Sequence, residues 1–340
     1  MNLSLKRSSA TAVVSLLALL ALTVTPLVYA PLAGAPLVRG CNCVTATIPV
    51  GSEPHGVAVD VATNMVYVAN FFSNTLSVIS GSSNTVVATI PVGSFPYGVD
   101  VNPTTNTIYV TNSGSGTLSV ISGSSNAVTA TIQLGTSPIG VGVDSQTNMI
   151  YVAAGGVQVI SGATNRIVDT ILLGAGANFV GVDSVTDMVY VANALNAVSV
   201  ISGATDAVTA TIPVGIAPAF IGVNSKTDTI YVANFQSNTV SVISGQTNSV
   251  VATISVGSSP FGVGVDPKTN EVYVANEDSG NVSLISGRTN TVAATITVGN
   301  SPIGVAVNPG TGMVYVANDF SNTVSVISGA RITGRPTSGS

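Results

Sequence analysis

One stretch decides the fold: Gly262-Val263-Gly264-Val265-Asp266-Pro267-Lys268-Thr269-Asn270-Glu271-Val272-Tyr273-Val274-Ala275-Asn276. Gly262–Val265 is short and rich in β-branched residues, which predicts a strand (A). Asp266–Asn270 carries tight-turn chemistry and leads into strand B, Glu271–Ala275. After a loop opening at Asn276, Asn281-Val282-Ser283-Leu284-Ile285 is strand C. It turns through Ser286–Asn290 into strand D, Thr291–Ile296, and Val298-Gly299 leads onward.

Working outward, the same unit returns along the chain. Tyr-Val-Ala-Asn or a close variant begins at Tyr67, Tyr109, Tyr151, Tyr190, Tyr231, Tyr273 and Tyr315, at intervals of 42, 42, 39, 41, 42 and 42. A Ser-Gly pair ends strand C at Gly81, Gly123, Gly162, Gly203, Gly245, Gly287 and Gly329, and each Gly lies 28 residues before the next Tyr. All length variation therefore falls between Tyr and Gly, in the B–C loop. Four antiparallel strands repeated at about 40 residues mark a propeller blade, because a small sheet buries both faces only when neighbours pack on each side.

The array starts and ends out of phase. Val44–Gly51 matches the D strand at Val86–Gly93 but has no preceding copy, while the last copy stops after strand C at Gly329. The N-terminal strand is therefore expected to complete blade 7 by pairing 44–48 with 323–327, which also hides a sheet edge. The expected fold is all-β: a seven-bladed propeller of four-stranded antiparallel blades over residues 41–330. A membrane barrel needs strands of about 9–11 residues, longer than these runs. A solenoid would have capped rather than complementary ends.

Composition narrows function. Charged residues are 7% of the chain, there is one histidine and no tryptophan. One histidine excludes a multi-histidine metal centre, and no cofactor is expected. Net charge is −5, and without Lys6, Arg7 and Arg39 it becomes −8. That sign repels phosphate backbones, so no nucleic-acid partner is expected.

Residues 1–40 read as an export segment. Lys6 and Arg7 precede a charge-free run from Ser8 to Val38 with an apolar centre at Ala12–Leu22. This is the layout of a signal peptide. Prolines follow both small-residue cleavage candidates, Ala30 and Ala35, which keeps an uncleaved membrane anchor open. Val38-Arg39-Gly40-Cys41 only loosely matches a lipoprotein box. The expected location is secreted or cell-surface, with membrane contact only through this segment. Residues 331–340 read as a flexible tail. Cys41 and Cys43 sit too close in sequence for a comfortable bridge and are expected to have no structural duty.

Tyr109-Val110-Thr111-Asn112, with the Val-Ile-Ser-Gly and Pro-x-Gly-Val elements, resembles the YVTN β-propeller repeat family from about residue 44 to 329. The chain departs from that pattern in having serine, from Ser80 to Ser328, where many members place aspartate after strand C. The resemblance implies an extracytoplasmic binding or scaffolding role, as in surface-layer proteins, and carries over no catalytic motif.

Several residues repeat in every copy and read as structural. The strand B tyrosines are expected in the core between sheets. The asparagines after them, such as Asn70 and Asn276, are expected to bond the backbone of the B–C turn. Asp60, Asp144, Asp183 and Asp266, with Asn102, Asn224 and Asn308, read as Asx turns rather than calcium ligands.

Residues that differ between blades are better site candidates. Strand direction puts the D–A and B–C loops on one face. There His55, Tyr97, Ile139, Asn178, Ala219, Phe261 and Ile303 are expected to ring the channel mouth. B–C loops add Phe71, Phe72, Phe235 and Phe320, so this face is the expected contact surface for a protein or glycan at the cell surface. Asp100, where other blades have Gly or Ala, reads as a channel carboxylate, with an acid/base couple to His55 conceivable. Glu53, Glu277, Asp278 and Asp319 come from three neighbouring blades and form a candidate patch for a basic partner or a divalent cation. Asn281-Val282-Ser283 is a weak glycosylation sequon. The expectation is a non-enzymatic exported module; the alternative is a lyase or hydrolase at the channel mouth, for which the mouth lacks the usual clustered His, Asp, Glu and Arg.

Overall fold

A computed structural model describes residues 41–135 and 137–329 of the chain. Residues 1–40, read above as a signal peptide or membrane anchor, and residues 331–340, read as a tail, lie outside these residues. The described residues form seven four-stranded antiparallel sheets, each in the order A-B-C-D. In blade 6 the strands run Pro260–Asp266, Glu271–Asn276, Asn281–Ser286 and Thr291–Thr297, within a residue or two of the pattern read from the sequence.

The N-terminal strand, Cys43–Pro49, pairs with Thr323–Ser328 and completes the blade built on Pro302–Asn308 and Met313–Asn318. Its register shifts between Val44 and Ala46. The D strand of blade 2 shifts against Val120/Ile121 in the same way, so the closing strand is a D strand in geometry as well as in sequence.

Seven hydrophobic clusters lie at the seven blade junctions. Tyr67, Leu76 and Val78 of blade 1 pack with Val99, Val110 and Ile121 of blade 2, and so on round the ring to Val66 and Val68 of blade 1 against Ile48, Tyr315, Val324 and Val326 of blade 7. All seven strand B tyrosines are buried, as expected of core residues. Burial of each large side chain contributes about 1.5–3 kcal/mol, and it comes from between blades rather than within them. A blade has no core of its own, so ring closure is a condition of stability.

Turn chemistry follows the sequence. Asp60 Oδ1 accepts from Ala62 N at 2.8 Å, Asn102 Oδ1 from Thr104 N at 3.0 Å and Asp266 Oδ1 from Lys268 N at 2.8 Å. Two expectations are corrected. Cys41 and Cys43 are joined in a disulfide, their Cα atoms 5.1 Å apart, because Asn42 between them adopts φ 44° and brings the pair within bonding range. The asparagines ending strand B bond mainly across strands. Asn70 Nδ2 donates to Thr75 Oγ1 and Ser77 Oγ, and its Oδ1 accepts from Gly51 N at 3.1 Å in the D–A loop. In blade 3, which has Ala154 instead, Gln158 Nε2 on strand C reaches Leu134 O at 2.9 Å and takes over that tie.

Candidate functional site

The D–A and B–C loops share one face, and a repeated backbone device holds them there. The residue before the strand A proline is left-handed: Glu53, Phe95, Ala217, Ser259 and Ser301 have φ of 49°, 54°, 56°, 57° and 52°. A β-carbon disfavours that conformation. Two hydrogen bonds hold it in place. Glu53 N donates to Asn322 Oδ1 in the previous blade at 2.9 Å, and Glu53 O accepts from Phe71 N at 2.8 Å in its own blade. Phe95 repeats this with Asn74 and Ser113. The device fixes the backbone and leaves the side chain free to differ from blade to blade.

In blades 1 and 2 those side chains build an aromatic surface. Phe71 stacks on His55 at 4.7 Å and on Phe95 at 4.9 Å, and Phe72 meets Phe71 edge-on at 5.3 Å. Tyr97 stands edge-on to His55 at 4.7 Å. Phe72 is 56% exposed and Phe95 41%, while Phe71 is half-buried beneath them.

The aromatic series continues across the channel. Tyr97 reaches Phe179 at 6.1 Å, Phe179 packs on Phe220 at 4.3 Å and on Phe261 at 5.4 Å, and Phe235 closes the series against Phe261 at 5.8 Å. Phe179 and Phe220 take the strand A position that is glycine in the other five blades. At Gly98 a β-carbon would lie 2.5 Å from Ile139 O of the next blade, so most junctions admit no side chain there. In blades 4 and 5 two phenyl rings enter the channel instead. The expected ring of seven mouth residues is thus partly filled rather than open: Tyr97, Ile139 and Phe261 pack against Phe179 and Phe220. Phe179, Phe220 and Phe95 were not among the expected site residues. The signal for the first two was the loss of glycine at a fixed repeat position.

Phe320 stands apart from these ring contacts and is 70% exposed. Asp100 also stands apart. Its carboxylate accepts from Val101 N and from Val143 N of blade 3, both at 2.8 Å. Burial pushes its pKa up to about 6, against the opposing pull of those two bonds. It bridges blades 2 and 3 inside the ring, and the carboxylate facing His55 is Asp319 instead, which replaces the conceived His55–Asp100 couple.

Of the four patch acids, Glu53, Glu277 and Asp319 lie together. Glu53, His55 and Asp319 offer ligand atoms within 4.8 Å of one another, and Ser301 Oγ donates to Glu277 Oε1 at 3.3 Å beside them. Burial first, then Glu53 and Glu277, push the Asp319 carboxyl up to about 7. Burial pulls the His55 imidazole down to about 4, so at neutral pH its 3.7 Å contact with Asp319 is not an ion pair. Asp278 does not join the group: it is exposed and accepts from Ser259 Oγ at 2.6 Å in its own blade.

Charge is divided between the faces. Glu53, Glu277, Asp278 and Asp319 are the charged residues of the loop face among the described residues, whereas Arg166, Lys226, Lys268 and Arg288 all lie at A–B or C–D turns on the other. Shallow crevices lined by Ser and Thr, such as one of about 410 Å³ beside Gly51, Ser73, Thr75 and Ser77, recur at several blade junctions and reflect the repeat rather than a site.

No family model and no curated protein matches the chain. Among solved structures, a chain of Kuenenia stuttgartiensis hydrazine synthase is similar to it in fold, with TM-score 0.73 and 18% identity over 81% of this chain and 95% of that one. At that identity the likeness bears on the propeller alone.

Proposed function

We propose that this protein is an exported, non-enzymatic propeller that binds a protein partner at the cell surface through its loop face. One observation carries this reading. On a scaffold whose repeats are otherwise near-copies, the exposed aromatics Phe72, Phe95 and Phe320 and the acids Glu53, Glu277 and Asp319 gather on one face with no described cation among them. Exposed aromatics rimmed by charge are the composition of an interface centre, and single-sign charge selects a basic partner. A glycan fits less well, because sugar stacking needs an open ring face and Phe71 and Phe95 stack on each other. A lyase or hydrolase site fits less well too, because aromatic rings fill the mouth that would admit substrate. The charge-free run behind Lys6 and Arg7 supports export, and the likeness to YVTN repeats supports a surface role.

The test compares two triple variants for binding to isolated cell-envelope proteins and to a glycan array. Phe72→Ser/Phe95→Ser/Phe320→Ser alters the loop face; Val61→Ser/Val185→Ser/Lys226→Ser alters the turn face. Loss of protein binding in the first alone is expected. Equal loss in both, or binding only to glycans, would overturn the reading.

A further inference from the structure

We propose that Glu53, His55 and Asp319 bind a divalent transition-metal ion of the zinc class, clipping blade 1 to blade 7 at the seam where the ring closes. Glu53 and His55 flank Pro54 at the start of strand A in blade 1, and Asp319 lies in the B–C loop of blade 7. The three ligand atoms fall within 4.8 Å of one another.

Asp319 is the independent pointer to a ligand. It is only 5% exposed, and its Oδ1 has no hydrogen-bond partner. His55 Nε2, which faces it, is 3.7 Å away, beyond hydrogen-bond range. A buried carboxylate oxygen without a donor is costly, and no described lysine or arginine lies on this face to relieve it. A cation between Nε2 and Oδ1 does so directly.

The surroundings hold the donors in place. Glu53 is tied through its N–H to Asn322 and through its carbonyl to Phe71, and Asp319 N donates to Ser301 O at 2.9 Å. The His55 ring is held between the stacked Phe71 and the edge of Tyr97. Tetrahedral zinc, with bonds of about 2.1 Å, places its ligand atoms about 3.4 Å apart, close to the present His55–Asp319 separation. Glu53, half-exposed on its loop, closes the remaining distance, and water completes the coordination. One imidazole with two carboxylates favours zinc-class ions over calcium or magnesium, which take oxygen donors throughout.

The chain has a single histidine, which makes the test direct. Zinc titrated into the tag-free, full-length protein should bind with one-to-one stoichiometry by calorimetry, shift the one set of imidazole resonances, and raise the thermal midpoint as a ligand of the folded state does. Calcium should do none of these. Asp319→Asn and Glu53→Gln, which keep side-chain size, should each weaken zinc binding at least about tenfold. If the variants fold poorly, X-ray absorption of the zinc-loaded parent should still report one imidazole among nitrogen and oxygen neighbours. Absence of zinc binding, an unmoved histidine signal, or affinity unchanged in both variants would overturn the site.

Discussion

The two faces of this propeller are made by the same repeat and have diverged in opposite directions. On the turn face, Asx turns at Asp60, Asn102, Asp266 and their counterparts are followed by a left-handed Asn or Asp, as at Asn64, Asn106 and Asn270, and by left-handed Gly312 in blade 7. Side chains there link blade to blade: Asn102 Nδ2 donates to Asn148 Oδ1 at 2.7 Å, Asn224 to Asn270 at 2.8 Å, and Asn308 to Asn64 across the seam at 2.7 Å. On the loop face the repeated bonds tie the D–A backbone to buried asparagines such as Asn70 and to loop Asn and Ser acceptors such as Asn322 and Ser73, and the outward side chains vary from Glu53 to Phe95 to Ser259. The difference teaches that a repeat protein can fix a backbone with one set of residues and display unrelated chemistry from the next. The turn face should answer to stability measurements and the outermost loop face to binding.

The largest expected effect breaks both faces at once. Removing residues 1–50 deletes the closing strand and exposes Val324 and Val326. The loss combines Ile48 burial, about 2–3 kcal/mol, with the ladder hydrogen bonds, about 1 kcal/mol each. Thermal unfolding should move sharply downward with added aggregation; an unchanged midpoint would show that the strand does not close the ring.

The next variant finds where display ends and core begins on the loop face. Phe179→Ala removes a buried ring that touches Tyr97, Phe220 and Phe261, and should cost about 3–5 kcal/mol in denaturant unfolding. A cost below about 1 kcal/mol would mean that the channel rings are surface rather than core.

A smaller effect sharpens the turn face. Asp187 stands where blades 2 and 3 have Asn106 and Asn148, and it faces Asp144, whose Oδ2 has no hydrogen-bond partner. Its pKa is raised by burial and then by Asp144. A carboxyl raised in the folded state contributes nothing in acid, where both states are protonated. Its charge then destabilises the fold as pH climbs past the ordinary carboxyl range. Asp187→Asn supplies a donor to Asp144 and should stabilise by about 1 kcal/mol at neutral pH, with the gain shrinking in acid. A gain that persists undiminished at low pH would refute the like-charge account.

The smallest stability effect completes the comparison. Phe72→Ser removes an exposed ring and should change unfolding by less than about 0.5 kcal/mol. The same substitution should weaken partner binding by about tenfold or more, as for an aromatic at an interface centre.

The ring was legible in the sequence nearly to the residue. The period, the four runs per unit and the orphan D strand at Val44–Gly51 specify seven blades and their closure, because strand alternation and turn chemistry are local properties. The site was legible in part. His55, Tyr97, Phe71, Phe72, Phe235 and Phe261 do meet, since each departs from the repeat on a predictable face. Phe179 and Phe220 were hidden because a residue in a strand A slot carries no sign of whether its neighbour leaves room for a ring. The Cys41–Cys43 bridge was hidden because it depends on the left-handed turn at Asn42.

What the sequence by itself determined was therefore the blade, the blade count and the face on which variation collects. All three follow from spacing within one unit repeated along the chain. Only the tertiary structure decided that Asp319 rather than Asp100 faces His55, that Asp278 turns away to Ser259, and that the channel mouth is filled by phenyl rings. The first and last depend on contacts between blades, the first joining opposite ends of the chain, and the second on a contact across the loops of blade 6, all at distances of a few ångströms. Such distances are fixed by how the closed ring packs, and no spacing along the chain encodes them.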